Sequence, residues 1–162
     1  DFAILSGDDA QIQQIMTDPE IRACGGISVM SNIAPKAISQ MIRYLNENNE
    51  TAARKIQTAL KPLLDLVVVV TQETSRFGTV QCRARNPLPV KTLMQLLGMP
   101  SGPCRQPLGK MTQNGFHRLV DAAKNVQAVS PEIFQPVADF FDVDIDARLN
   151  DPGLQKKLWY TY

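Results

Sequence analysis

Two neighbouring carboxylates, Asp8 and Asp9, follow a short apolar run near the start of the chain. The run extends from Phe2 to Leu5 and is closed by a Ser-Gly-Asp-Asp turn signal, a pattern typical of a buried strand. Acidic side chains at the carboxyl-terminal tip of a parallel strand lie where α/β enzymes bind substrate. Asp8 and Asp9 are therefore candidates for the mouth of a binding site, with turn formation and helix capping as the structural alternative.

The other reactive residue types predict no further catalytic or metal site. His117 is the only histidine, and its place beside Phe116 in an apolar helical pattern favours a structural role. Cys24, Cys82 and Cys104 are far apart and lack the spacing of metal ligands. No glycine-rich phosphate cradle follows either strand candidate. We therefore expect no metal ion and no bound cofactor.

The composition indicates an ordinary globular protein. The 162 residues are 44% hydrophobic and 20% charged, with a net charge of +1. So small a net charge gives no electrostatic reason to expect a nucleic-acid or membrane-surface partner. No apolar run approaches the roughly 18 residues that a membrane span needs. Three scattered cysteines favour a reducing compartment, so we expect a cytoplasmic protein.

A second strand candidate begins at Gly25 and runs to Met30. Between the two strands, Ile12, Ile15 and Met16 fall at helical spacing. A strand, a helix and a strand in so few residues predict two parallel strands with the helix packed outside them. Because parallel sheets are buried on both faces, two such strands need further strands beside them.

From Pro35 onward the apolar residues follow the period of amphipathic helices. Asn49 is expected to cap the second of these helices, and Gly98 to end the third. The interval between Thr71 and Arg85 fits no single pattern, and both a hairpin turning near Phe77 and a frayed helix end with a basic loop are open. The five predicted helical stripes are Ile38, Met41, Ile42 and Leu45; Ala53, Ile56, Leu60, Leu63 and Leu64; Val90, Leu93, Met94 and Leu97; Phe116, Leu119, Val120 and Ala123; and Phe134, Val137, Ala138 and Phe141.

Five sequence words carry a specific resemblance. LSGDD, GGISVMSNIAP, LKPLLDL, NPLPVKTLMQLLGM and CRQPL occur in this order between Leu5 and Leu108. Together they resemble the carboxy-terminal half of the 4-hydroxy-tetrahydrodipicolinate synthase (dihydrodipicolinate synthase) family, within the N-acetylneuraminate lyase superfamily. The NPLPVK word, from Asn86 to Lys91, separates this family from N-acetylneuraminate lyase. The resemblance is faint beyond Leu108.

The resemblance implies the last two parallel strands of a (β/α)₈ TIM barrel, followed by a mainly helical extension. It implies boundaries at 1–70 for the last two β/α units with the closing helix, 71–86 for an irregular or hairpin insertion, 87–128 for the helical extension, and 129–162 for an additional helix and tail. A complete barrel takes about 250 residues. The chain is thus expected to be the final part of a longer enzyme.

The family reaction implied by the resemblance joins pyruvate, held as a Schiff base on a lysine, to aspartate semialdehyde in lysine (diaminopimelate) biosynthesis. The Schiff-base lysine and the proton relay are expected upstream of this chain, so it holds no catalytic residue of its own and is expected to be inactive alone. The backbone carbonyls of Gly7 and Ile27 are expected to form a wall facing pyruvate, with Asp8 and Asp9 at the site mouth. Asn86 and Pro87 match the turn into the helical extension.

Two other interpretations remain open at this stage. The chain could be a non-catalytic helical oligomerisation or interaction module derived from the enzyme, or part of another keto-acid aldolase of the superfamily. Unpaired parallel strands are exposed edges that invite pairing with another chain. We therefore expect a homo-oligomer under the first of these interpretations and for the enzyme itself.

Overall fold

The first two strands pair only with each other within the described part of the chain. A computed structural model describes residues 2–161. Strand β1 (Leu5–Ser6) lies parallel to β2 (Gly25–Gly26), with helix α1 (Ile12–Thr17) between them in sequence. The parallel pairing and the intervening helix agree with the prediction from the sequence.

The predicted extent of the second strand is wrong. The chain leaves the sheet after Gly26, and Met30–Asn32 forms a turn of 3₁₀ helix. The cause is local, because the Asp9 carboxylate accepts hydrogen bonds from the backbone N–H groups of Val29 and Met30. Side-chain acceptors that bind backbone donors in this way compete with sheet pairing. Ile27 to Met30 is therefore an apolar run that bends instead of extending.

Apolar side chains of this small sheet are exposed, although the sequence pattern predicted buried strands. The exposed fraction is 48% for Leu5 and 69% for Ile27, and Ile4 is also exposed. No other strand of residues 2–161 lies beside β1 or β2. The outer flank of the sheet is thus open in this chain.

Three long helices form the core. Helices α2 (Pro35–Asn46), α3 (Glu50–Leu64) and α5 (Gln113–Val129) pack with α3 between the other two. The Asn49 side chain accepts a hydrogen bond from Ala52 N–H at 3.2 Å, which confirms the predicted cap of α3. The buried side chains of this core follow the predicted stripes and include Ile38, Met41, Leu60, Leu63, Phe116, Leu119 and Ala123.

A two-stranded hairpin follows α3. Strand β3 (Val68–Ser75) pairs antiparallel with β4 (Gly78–Arg85), and the turn lies at Arg76 and Phe77. Of the two structures that the sequence left open for this interval, the hairpin is the one that forms. Its inner face packs against α5, and Arg118 of α5 donates from Nη1 to the Val70 carbonyl at 2.7 Å. The hairpin is therefore held as a docked layer.

The remaining chain wraps back onto this frame. Helix α4 (Leu88–Leu96) ends before Gly98, whose φ of +92° is a left-handed conformation that ends a helix. The last predicted stripe lies on one helix, Gln135–Phe141, and its N-cap Phe134, and a 3₁₀ turn at Pro131–Ile133 precedes this helix. The remaining elements are β5 (Met111–Thr112), α6 (Gln135–Phe141), α7 (Ile145–Leu149), α8 (Pro152–Gln155) and β6 (Trp159–Tyr160), which pairs parallel with β5.

Candidate functional site

A cavity of about 370 Å³ opens where β1 ends. Gly7, Asp8 and Asp9 form one side of it, and Asn86 reaches it from the end of β4. These four residues were all singled out from the sequence, and the fold brings them to one place. The other lining residues are Ala10, Val29, Leu64, Asp65, Val67 and Val68.

Asp9 joins the ends of the two parallel strands. Its side chain is buried, and Oδ1 accepts hydrogen bonds from the Ser28 hydroxyl and from Met30 N–H at 3.2 Å. Oδ2 accepts from Val29 N–H, also at 3.2 Å. A buried carboxylate with three donors is strongly tied to its position, because charge-assisted hydrogen bonds are stronger than neutral ones. Asp9 therefore fixes the loop after β2 against the loop after β1.

The side-chain and backbone hydrogen bonds of Asp8 are local. Its exposed carboxylate accepts from Ala10 N–H at 2.9 Å and caps the short 3₁₀ helix Asp9–Gln11. The Ser6 hydroxyl donates to the Asp8 carbonyl at 3.1 Å. The Asp8 side chain is thus a helix cap, which was the structural alternative, and the residue also borders the cavity. The Asp8 carboxylate remains in contact with solvent at this rim.

Gly7 and Ile27 occupy different positions. Gly7 lines the cavity, and a Cβ added there would meet no atom within 4 Å. Ile27 is not among the residues that line the cavity, and its N–H donates to the Ser6 carbonyl at 2.7 Å. Their expected roles concern backbone carbonyls facing pyruvate, and both remain predictions.

Asn86 and Pro87 stand between β4 and α4, and their role as the family's turn into the helical extension remains a prediction. The Asn86 N–H donates to the Val67 carbonyl at 3.0 Å, which ties the exit of the hairpin to its entrance. Asp65 at the rim was not identified from the sequence, because only its place after α3 marks it. Its carboxylate forms an exposed ion pair with Lys61 at 2.8 Å.

The lysines of this chain lie at exposed or half-buried positions in the described structure. A Schiff-base lysine needs a depressed pKa, which burial provides. None of the eight lysines of this chain, all within residues 2–161, is buried. Lys91 is the least exposed, and it donates to the Pro103 carbonyl at 3.4 Å. Among residues 2–161, the lining of the cavity includes carboxylate and backbone groups and no lysine.

Histidine and cysteine add no second centre. His117 is exposed and makes an edge contact with Trp159, with 6.5 Å between the ring centres. Cys24, Cys82 and Cys104 are free thiols. Across residues 2–161, no group of three or more histidine, cysteine, aspartate or glutamate side chains is arranged to hold a metal ion.

The sequence profile of the dihydrodipicolinate synthetase family matches residues 1–126. The chain belongs to this family. A relative from Methanococcus maripaludis, a 4-hydroxy-tetrahydrodipicolinate synthase, is 36% identical over 126 residues, which are 78% of this chain and 38% of the relative. A synthase of the same name from Acetivibrio thermocellus is 34% identical over 125 residues, covering 77% of this chain and 37% of the relative. The chain thus spans little more than a third of the length of these relatives.

Solved structures give the same result. The 4-hydroxy-tetrahydrodipicolinate synthase of Methylacidiphilum fumariolicum matches with a TM-score of 0.63 and 26% identity, covering 86% of this chain and 40% of that one. Dihydrodipicolinate synthase from Aquifex aeolicus matches with a TM-score of 0.60 and 31% identity, over 76% of this chain and 36% of that one. The mixed α/β fold of this chain is therefore similar to part of the fold of these synthases.

The family match ends at residue 126, before α5 is complete. Helices α6, α7 and α8 lie beyond it. Among residues 2–161, no helix combines the length and the apolar character that crossing a bilayer requires.

Proposed function

We propose that this chain is the carboxy-terminal part of a 4-hydroxy-tetrahydrodipicolinate synthase and supplies the last two strands of its (β/α)₈ barrel. The observation that carries this proposal is the open flank of the β1–β2 pair. Leu5 and Ile27 are exposed there, while the long helices bury apolar side chains such as Ile38. Parallel sheets are otherwise buried on both faces, so a flank of this kind calls for neighbouring strands.

In the complete enzyme, an upstream lysine condenses with the carbonyl carbon of pyruvate and releases water. The imine then loses a proton to form an enamine, which attacks the aldehyde carbon of aspartate semialdehyde. No metal ion or further cofactor enters this sequence. We place this lysine upstream because the family resemblance assigns it to the strand that precedes LSGDD.

Within that enzyme, the cavity at the end of β1 is proposed as part of the pyruvate site. The backbone of Gly7 borders it, and the carbonyl of Ile27 is placed by the same proposal on the pyruvate wall. Asp9 is a positioning residue under this proposal, since it holds the segment after β2 through Ser28 and the N–H groups of Val29 and Met30. We further propose that the complete enzyme is a homo-oligomer.

The test is covalent trapping with pyruvate and borohydride, followed by mass spectrometry of the protein. Borohydride reduces an imine to a stable amine, so a lysine that forms the Schiff base keeps the pyruvate carbons. We expect a modified lysine in the protein that carries the upstream strands and no modification of the 162-residue chain alone. A trapped adduct on Lys61 or Lys91 of this chain would refute the upstream assignment.

A further inference from the structure

The hairpin β3–β4 has one covered edge and one free edge. On β3, the carbonyls of Val70 and Gln72 point away from β4 and accept hydrogen bonds from Arg118 at 2.7 Å and Asn114 at 3.4 Å. These two residues pair with Arg83 and Gln81, respectively. In an antiparallel pair, two directly opposite residues either point their backbone N–H and C=O groups toward each other or both point them away from the partner strand. The backbone groups of Gln81 and Arg83 therefore also point outward, on the other edge.

That outer edge of β4 has no partner strand within residues 2–161. No backbone–backbone hydrogen bond among the described residues reaches the outward N–H or carbonyl groups of Thr79, Gln81 or Arg83. Exposed edge strands of this length are templates for an added strand unless they are covered or interrupted. Strand β4 contains no proline and no bulge in its pairing with β3.

A cavity of about 250 Å³ lies beside this edge, on the inner face of the hairpin. It is bounded by Cys82 and Ala84 of β4 and, across the gap, by Leu108 and Met111. The lining is mixed in character, because it also includes Thr71, Lys110, Thr112 and Tyr160. A strand that pairs with β4 places alternate side chains on this face. The cavity has room for one or two apolar side chains from such a strand.

The charge on the other face is one-sided. Arg83 and Arg85 are exposed on β4, which carries no acidic residue. The one acidic residue of the hairpin, Glu73, is buried and accepts from the Thr71 hydroxyl at 2.7 Å and the Asn114 amide at 2.8 Å. The Glu73 carboxylate therefore does not neutralise the charge of Arg83 or Arg85. Opposite charges on directly paired residues stabilise a strand pair, and like charges destabilise it.

We propose that the free edge of β4 binds an extended polypeptide segment in which acidic and apolar residues alternate. The main chain of the segment pairs with Thr79, Gln81 and Arg83, its apolar side chains enter the cavity, and its carboxylates face Arg83 and Arg85. This is the strand-addition mode of peptide recognition, in which main-chain bonds give affinity and pockets give specificity. A second copy of β4 fits less well, because it brings further arginines and no carboxylate.

The direct test uses a short fluorescent peptide of alternating glutamate and valine and the full 162-residue chain, with binding followed by fluorescence anisotropy. We expect saturable binding that weakens as salt rises. Arg83→Glu should weaken it by about threefold to tenfold, from the size of cross-strand charge effects. Arg54→Glu, an exposed arginine on α3 with the same charge change, should leave the affinity unchanged.

Two further measurements examine the backbone pairing. A peptide N-methylated at alternate residues should lose binding, and Gln81→Pro should do the same without unfolding the hairpin, since this N–H faces away from β3. Amide hydrogen exchange at Thr79, Gln81 and Arg83 should slow when the peptide is added.

Four results would overturn the proposal. They are equal binding of a lysine–valine peptide, binding that ignores Arg83→Glu, tighter binding of a single-stranded oligonucleotide than of the peptide, and amide protection that rises with protein concentration without peptide. The last would show that a second copy covers the edge. None of these measurements depends on the synthase activity.

Discussion

At the scale of single residues, Asp9 is the side chain on which the candidate site depends most. The sequence places Asp8 and Asp9 at a strand end because a turn signal follows the apolar run. It cannot distinguish the two carboxylates, since the contact that separates them joins Asp9 to Ser28, 19 residues further along the chain. Such a contact depends on the parallel pairing of β1 and β2. The sequence thus predicted the location of the carboxylates but not their division of labour.

Asp9→Ala should lower the free energy of unfolding by about 2–4 kcal/mol, because it leaves the N–H groups of Val29 and Met30 without their buried acceptor. Asp8→Ala is the matched control and should cost about 1 kcal/mol, the value of an exposed helix cap. Urea unfolding of both variants measures the difference. Equal losses would contradict the role assigned to Asp9.

At the scale of elements, helices were more predictable than strands. The stripes through Ile38 and Phe116 identify α2 and α5, because a long amphipathic period leaves few alternative structures. The sequence did not decide between a hairpin and a frayed helix end for the interval after α3, because the valine run before Thr71 shows no alternation. The docking of the hairpin depends on a contact between Glu73 and Asn114, 41 residues apart, which no local pattern reveals. The 3₁₀ turn Pro131–Ile133 that precedes α6 was also not predicted.

Glu73→Ala should destabilise the chain by about 1–3 kcal/mol, since the Asn114 amide and the Thr71 hydroxyl lose a buried acceptor. Gln72→Ala, on the opposite face of the same strand, should change stability by less than about 0.5 kcal/mol. Thermal or urea unfolding provides both values. A coupling energy near zero in the Glu73 and Asn114 double-mutant cycle would refute the contact as a docking device.

At the scale of the whole molecule, the family could be identified from five short sequence words, while the structure of most of the tail could not be predicted. The words lie within Leu5 to Leu108, and the matched region extends to residue 126. Beyond it, the pairing of Trp159 with Met111 arises only after the intervening helices have packed. No local pattern in the sequence indicates this partner of Trp159.

The open flank predicts that one substitution has different effects in two settings. Ile27→Asp should change the stability of the 162-residue chain by less than about 0.5 kcal/mol, because the side chain is already exposed. In the longer protein the same change should be strongly destabilising, since neighbouring strands bury this position. Ile33→Asp, at a fully buried site, should unfold both proteins. Chemical denaturation of both proteins measures these effects. Equal tolerance of Ile27→Asp in the two proteins would count against barrel closure.

Amide hydrogen exchange at Leu5 and Ser6 tests whether upstream strands complete the sheet that β1 and β2 begin. In the 162-residue chain these amides should exchange rapidly, because a two-residue strand with an open flank opens easily. In the protein that carries the upstream strands, they should be slowed by orders of magnitude, as expected for the interior of a closed barrel. Strong protection of both amides in the 162-residue chain alone would contradict the account, because the strands would then be satisfied without the rest of the barrel.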